Sequence, residues 1–312
     1  MTATDSRNST EFDRDVVVVG GGPAGCSAGI FTARYGLDTV IFDRGNSSLR
    51  RCAYLENYLG FPAGIDIDTL YDLMGVHAEE MGCDLVSDMV ESVTRTDDES
   101  GFVVETQDGR AVTARRVVAA SRYDGEYMRP LGGDEMFETH SHGGEEHEHF
   151  DPEYADSDSR TPIEGLYVAA PAGEMNAQAI ISAGYGAQVG RNLLADYRCE
   201  QGYPEEVADH WDWLRRDAEL DDEWSDRDRW REWFEGRIPD DHGLGDDRLA
   251  ELREADIDRS FETYLAPDEI EDRERRGLAR LVETVGPDRV LDALDDERIR
   301  EYLDSEEASA ES

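Results

Sequence analysis

Gly20, Gly22 and Gly25, spaced Gly-x-Gly-x-x-Gly, have the chemistry of a cradle for a phosphate anion. The first glycine permits a tight turn, the second lets backbone approach a pyrophosphate, and the third lets a helix pack closely on a strand. The N–H groups at the helix N-terminus then face the phosphate charge. Asp43 stands eighteen residues beyond Gly25, where a carboxylate accepts a hydrogen bond from a ribose hydroxyl. A purely structural glycine turn needs no such acidic partner, so these residues together predict a dinucleotide site. Asp43 alone does not say whether the dinucleotide carries a flavin or a nicotinamide.

A second candidate is His140-x-His142 and His147-x-His149, interleaved with Glu145, Glu146 and Glu148. In extended backbone, residues i and i+2 share a side, so each pair can chelate one divalent metal. Imidazoles with carboxylates suit zinc, nickel or iron. The spacing matches no standard zinc module, and a solvated acidic loop explains the same composition. Cys52 follows Arg50 and Arg51, whose charges favour a thiolate. A small buried residue explains it better. Cys26 reads as helix–sheet packing, and Cys83 and Cys199 carry no signal. No Cys-x-x-Cys pair occurs.

The elements that must position these residues follow from apolar patterning. Val16 to Val19 is a β-branched run suited to a strand buried on both faces. A glycine turn, a small-residue helix to Tyr35, and a second strand over 39–42 complete a βαβ unit. A helix is expected over 66–82, then strands at 102–106, 111–114 and 117–120. Residues 132–160 have little apolar content and break the pattern. A strand over 165–170 and a helix over 177–196 restore it. From Cys199 onward the residues are charged and helix-favouring. Trp230, Trp233 and Phe234 form a helical stripe, as do Leu278, Leu281 and Val282. Helices across 208–234 are expected to bury their tryptophans. Gly286-Pro287 separates two late helices, and the last eight residues are expected to be unstructured.

The chain has 312 residues with 74 acidic against 31 basic ones, a net charge of −43, and every basic residue is arginine. Such a surface repels nucleic acid and anionic membranes and stays hydrated in high salt. The 27 aromatic residues (13 Tyr, 9 Phe, 5 Trp) and the periodicities exclude a wholly disordered acidic chain. With no apolar leader or membrane-length run, the expectation is a soluble cytoplasmic protein from a salt-in halophile.

The stretch VVVVGGGPAGCSAGIFTARYGLDTVIFDRG, residues 16–45, resembles the FAD fingerprint of low-molecular-weight thioredoxin reductases. Glu56 to Pro62, reading ENYLGFP, resembles the segment bordering the flavin ring in that family. Residues 82–85 and 90–93 resemble its strand passing the adenine, and 161–167 its returning strand. Residues 177–180 with 182–184 resemble the helix whose N-terminus faces the flavin. The resemblance implies a doubly wound α/β, Rossmann-like FAD-binding domain over 14–198, in halves 14–131 and 161–198. An acidic helical region, 199–312, follows it. It implies FAD contacts from Gly20, Gly22, Pro23, Ala24, Gly25, Asp43, Arg44, Asn57, Val90, Ala119, Gln178 and Ala179.

The departures from the family are specific. About thirty residues, 132–160, stand where the family inserts a nicotinamide domain, too few for a second βαβ fold. The family's Ala-Thr-Gly reads Ala119-Ala120-Ser121, and its ribityl-binding Gly-Asp reads Ala170-Pro171, with Glu174 a turn beyond. The expected function is an FAD-dependent oxidoreductase with a small-molecule or protein redox partner, without the usual NADPH use or dithiol. A flavin- or metal-responsive sensor and a single-domain NAD enzyme are the alternatives. No catalytic side chain is singled out, and a homodimer is left open.

Overall fold

The computed structural model describes residues 12–121, 125–142, 145–170, 178–220, 223–239 and 241–310, and only the backbone for 140–142, 145–147 and 305–310. The architecture is α/β, around a seven-stranded sheet. Strand β1 (Arg14–Val19) leads through helix α1 (Pro23–Tyr35) to β2 (Thr39–Phe42). Helix α2 (Ile67–Glu80) precedes β3 (Asp84–Val86), β4 (Val90–Arg95), β5 (Phe102–Thr106) and β6 (Ala111–Ala120). The short helix α3 (Arg129–Gly132) and the antiparallel hairpin of β7 (Phe137–His142) and β8 (Glu145–Phe150) come next. Then follow β9 (Leu166–Ala170) and α4 (Ala179–Glu200).

Strands β3, β2, β1 and β6 lie side by side in parallel, with β9 parallel to the C-terminal half of β6. The N-terminal half of β6 instead pairs antiparallel with β5, which pairs with β4. One ten-residue strand therefore stands where the sequence suggested two, at 111–114 and 117–120. Arg116, in the middle of that strand, is buried with none of its guanidinium nitrogens in a hydrogen bond of good geometry, so its charge is met by a ring and an ion pair alone. The guanidinium lies over the Tyr197 ring and pairs with Glu200 at 2.5 Å.

Alternation along β1 explains the two cores. Val16 and Val18 pack with α1 and α4, whereas Val17 and Val19 pack on the other face with Phe102, Val104, Met128, Met136 and Phe150. Helix α4 crosses α1 on small residues. A Cβ at Gly186 would lie 2.0 Å from the Ala24 carbonyl oxygen, and one at Gly190 2.9 Å from that of Ala28.

The C-terminal region contains two-residue strands β10 (Arg215–Arg216) and β11 (Tyr264–Leu265). Its helices are α5 (Arg227–Glu235), α6 (Asp246–Phe261), α7 (Pro267–Val285), α8 (Pro287–Asp292) and α9 (Asp296–Ala310). Arginines tie it to the sheet domain. Arg34 grips Asp212 with two bonds of 2.5 Å, and Arg289 donates to Thr69 and Asp66. Arg198, 1% exposed, reaches Asp256 at 2.5 Å and the Val207 carbonyl at 2.9 Å.

Several expectations are corrected here. Residues 209–214 form no helix, and Trp211 and Trp213 are exposed, their rings stacked edge-on with each other and with Arg191 over Trp211. Only Trp230 of the tryptophans is fully buried, beside Phe234 in the expected stripe. Leu278 and Leu281 occupy a helical stripe but face outward. Helix α9 continues to Ala310, where the sequence suggested an unstructured end.

Candidate functional site: a glycine loop and a polar pair

The turn between β1 and α1 is built on backbone proximity. Gly20 adopts φ +114°, and a Cβ there would meet the Ala120 carbonyl oxygen at 2.8 Å. A Cβ on Gly25 would lie 1.8 Å from the Gly20 oxygen, so the third glycine is required by helix–strand packing. Gly22 differs. It is the N-cap of α1 in extended conformation, and a Cβ there would touch only Ser47 Oγ, at 3.6 Å. No side chain caps that helix end, so its first N–H groups remain available to an anion. Pro23 occupies the first helical turn, where its missing N–H costs nothing. Ala24 is buried under α4.

Asp43 directly follows β2, half-buried, with Oδ1 accepting from the Gly45 N–H at 3.0 Å. Gly21 matters as well, although the motif does not single it out: its Cβ would meet that of Asp43 at 2.6 Å. The run Gly20-Gly21-Gly22 was the available signal. Arg44 is exposed, while Val90 and Ala119 are buried in the core beneath.

The second half of the site joins residues far apart in sequence. Asn57 Nδ2 donates to Gln178 Oε1 at 2.9 Å. Gln178 is the N-cap of the 22-residue helix α4, and no side chain caps that end among the described residues. Ala179 packs with Leu55, Ile65, Ile67, Leu70 and Tyr71, fixing the 55–65 segment against the helix start. Two further residues belong near the glycine loop and carried no motif. Ser47 faces Gly22, and the Tyr71 hydroxyl is buried close to Ser47 without a hydrogen bond of good geometry. Burial raises the pKa of Tyr71 and of Tyr58.

The cysteines are reassigned in part. Cys26 is buried, donates to the Gly21 carbonyl, and is pushed up to about 12 by burial, as is Cys83. Cys52 is exposed after a 3-10 turn, so it is not the small packed residue favoured from sequence. Pro171 and Glu174, the altered ribityl positions, lie outside the described residues. So do the side chains of His140, His142 and His147, whereas His149 is exposed. The described residues contain no group of three or more His, Cys, Asp or Glu side chains able to hold a metal. None of the described helices is long and apolar enough to cross a membrane.

A doubly wound sheet with a glycine-rich first turn and an acidic end to its second strand defines a dinucleotide-binding α/β fold. Residues 14–149 match the pyridine nucleotide-disulphide oxidoreductase family. The chain is 34% identical over 122 residues to a thioredoxin reductase of Streptomyces clavuligerus, covering 38% of this chain and 36% of that protein. It is 32% identical over 124 residues to an NADPH-dependent thioredoxin reductase of Arabidopsis thaliana, covering 38% and 23% respectively. A solved thioredoxin reductase from Gloeobacter violaceus superposes with a TM-score of 0.50 at 19% identity, over 65% of this chain and 98% of that one. That superposition bears on the fold alone. The chain thus spans only about a third of the first of these curated relatives. Residues 14–149 are similar to the pyridine nucleotide-disulphide oxidoreductase family and, over about the same stretch, to thioredoxin reductases.

Proposed function

We propose that the chain binds FAD and acts as an oxidoreductase whose redox partner docks beside Asn57 and Gln178. The observation carrying this reading is the Asn57–Gln178 hydrogen bond, which draws the 54–62 segment onto the start of α4. It stands in a chain whose glycine loop keeps open space at Gly22. Two helix N-termini, of α1 and α4, which no side chain caps among the described residues, offer positive dipole ends to the two anionic parts of one cofactor.

In this reading the N–H groups following Gly22 hold the pyrophosphate, and Asp43 accepts from the adenosine ribose. Asn57 and Gln178 orient the ring. Bound FAD supplies the hydride and electron chemistry. The protein contributes position, and the dipole of α4 favours negative charge at its N-terminal end. We assign the FAD domain to 14–198, with 132–160 as a short insert, and 199–312 to a separate helical region. The acidic, lysine-free composition supports a protein adapted to molar salt.

With about thirty residues in place of a nicotinamide domain, NADPH has no second dinucleotide fold to orient it. Orientation can supply about 7–11 kcal/mol of a barrier, so NADPH should reduce the cofactor many orders of magnitude more slowly than a competent partner. The test is the visible spectrum of the purified chain, followed by anaerobic mixing with NADPH. A flavin spectrum that bleaches slowly is expected. Bleaching within seconds would refute the assigned donor. No flavin even after incubation with FAD would sink the cofactor assignment and favour a nicotinamide enzyme.

A further inference from the structure

The Tyr71 hydroxyl is out of place for a core. The residue, 8% exposed, packs with Leu55, Ile65, Ile67, Leu70 and Ala179. Arg50 lies over the ring, its guanidinium carbon 4.4 Å from the centroid. Apolar packing and a cation account for the ring, and phenylalanine would serve both. The oxygen is different. It is closed to solvent, and no hydrogen bond of good geometry satisfies it among the described residues. A hydroxyl buried without a partner costs stability, so a position that needed only the ring would do better without it.

Its surroundings supply a use. The hydroxyl lies close to Ser47, and Ser47 faces the glycine loop. A Cβ on Gly22 would stand 3.6 Å from Ser47 Oγ and meet nothing else within 4 Å among the described residues. Ser47 is half-buried and precedes the 3-10 turn Ser48–Arg51, with Oγ accepting from the Leu49 N–H at 3.3 Å. That bond uses a lone pair and leaves the Ser47 proton for another acceptor. Across the same space stand the first N–H groups of the thirteen-residue helix α1, which no side chain caps among the described residues. An orphan phenol, a serine hydroxyl and a bare helix end are gathered here, and all are short of an acceptor.

We infer that Ser47 and Tyr71 complete the phosphate cradle as a two-hydroxyl relay, in which Ser47 donates to a phosphate oxygen held at the start of α1 and Tyr71 donates to Ser47 Oγ. Ser47 is the contact, and Tyr71 is a positioning residue that acts through it. Burial raises the Tyr71 pKa, which keeps the phenol protonated and a donor. The relay rests on the dinucleotide reading of the glycine loop, but not on which dinucleotide occupies it.

The test is a double-variant cycle on the full chain, freed of cofactor and titrated with FAD in molar KCl by flavin fluorescence. Ser47→Ala should weaken FAD binding at least about tenfold, the loss expected for a hydrogen bond to a charged group. Tyr71→Phe should weaken it about fivefold, as for a bond between neutral groups. In the Ser47→Ala background, Tyr71→Phe should cost nothing further, because the relay is already cut. Without cofactor, Tyr71→Phe should melt no lower than the wild type, since it removes an unsatisfied hydroxyl and keeps the ring. Unchanged FAD affinity in either single variant, equal losses from Tyr71→Phe in both backgrounds, or a lower cofactor-free midpoint for Tyr71→Phe would each overturn the relay. If the wild type refuses FAD but binds NAD, the FAD reading fails alone, and the same cycle on NAD decides the relay. A wild type that binds neither FAD, NAD nor ADP overturns both.

Discussion

Two glycines three residues apart should respond oppositely to substitution, and the contrast tests the cofactor assignment. Gly22 is an extended N-cap with φ −78° and ψ −174°, accessible to any residue. Aspartate is among the best N-caps, so Gly22→Asp should change stability by only about a few tenths of a kcal/mol in the cofactor-free chain. The same carboxylate occupies the space open at Gly22 and sets a negative charge against any pyrophosphate. Cofactor retention should therefore be lost without loss of fold. Gly25→Ala does the reverse. Its methyl would stand 1.8 Å from the Gly20 oxygen, and α1 must move off β1 to accept it. Overpacking of this kind costs about 1–3 kcal/mol or more. At roughly 2–4 °C per kcal/mol, the expected fall in Tm is about 2–12 °C. Melts on cofactor-stripped protein in molar KCl, with flavin occupancy from the visible spectrum, read both effects. Stripping matters because bound ligand itself raises Tm. Wild-type flavin occupancy in Gly22→Asp would refute the placement of the pyrophosphate. An unchanged Tm in Gly25→Ala would refute the packing argument.

Removing one partner of the buried Arg198–Asp256 pair should cost about 3–5 kcal/mol in Asp256→Ala, measured by denaturant unfolding, because a buried guanidinium is left without its counter-charge. The double variant Arg198→Met/Asp256→Leu should recover most of that loss; a double variant as unstable as the single one would contradict this. Burial, reinforced by Arg259 and Arg198, holds the His210 imidazole down at about 4. Below about pH 6.5 the unfolded chain binds a proton that folded His210 refuses, so its contribution is lost as pH falls from about 6.5 to 4. By pH 5 this amounts to at most about 2 kcal/mol, and a pH 7-to-5 stability difference no smaller in His210→Gln than in the wild type would count against it. Melting midpoints should rise with KCl, as the Debye length falls from about 10 Å at 0.1 M to 3 Å at 1 M. A flat or falling series would remove the argument from charge.

The glycine loop and its flanking strands were legible because local pattern and tertiary role coincide. The 16–19 run is buried on both faces, so no polar alternation confuses it. Asn57 and Gln178 were each placed by resemblance, but their bond spans 121 residues, and no local pattern reports such a pairing. Strand β6 read as two strands because Arg115-Arg116 looks like an interruption, and only tertiary contacts with Tyr197 and Glu200 make Arg116 a buried residue. The hairpin escaped notice because a histidine–glutamate run lacks apolar alternation; Phe137 and Phe150 at its ends carry the whole inward signal. Trp211 and Trp213 were expected in a core by residue type, yet they stack against each other and Arg191 at the surface.

Strands β6 and β9 lie side by side, so the chain leaves and re-enters the sheet at neighbouring points. Whatever joins them is a closed excursion whose ends are clamped by ladder hydrogen bonds. The entropy of closing such an excursion grows only with the logarithm of its length. Lengthening it about fivefold, from a hairpin to a whole domain, adds only about 1.4 kcal/mol. Closure entropy therefore sets little limit on the length of the passenger, and what the junction does require is the core packing that Met128, Met136 and Phe150 supply from it. Exchange of a large module for a small hairpin, or the reverse, is shallow in closure entropy at this junction, provided that the replacement covers the same face of the sheet.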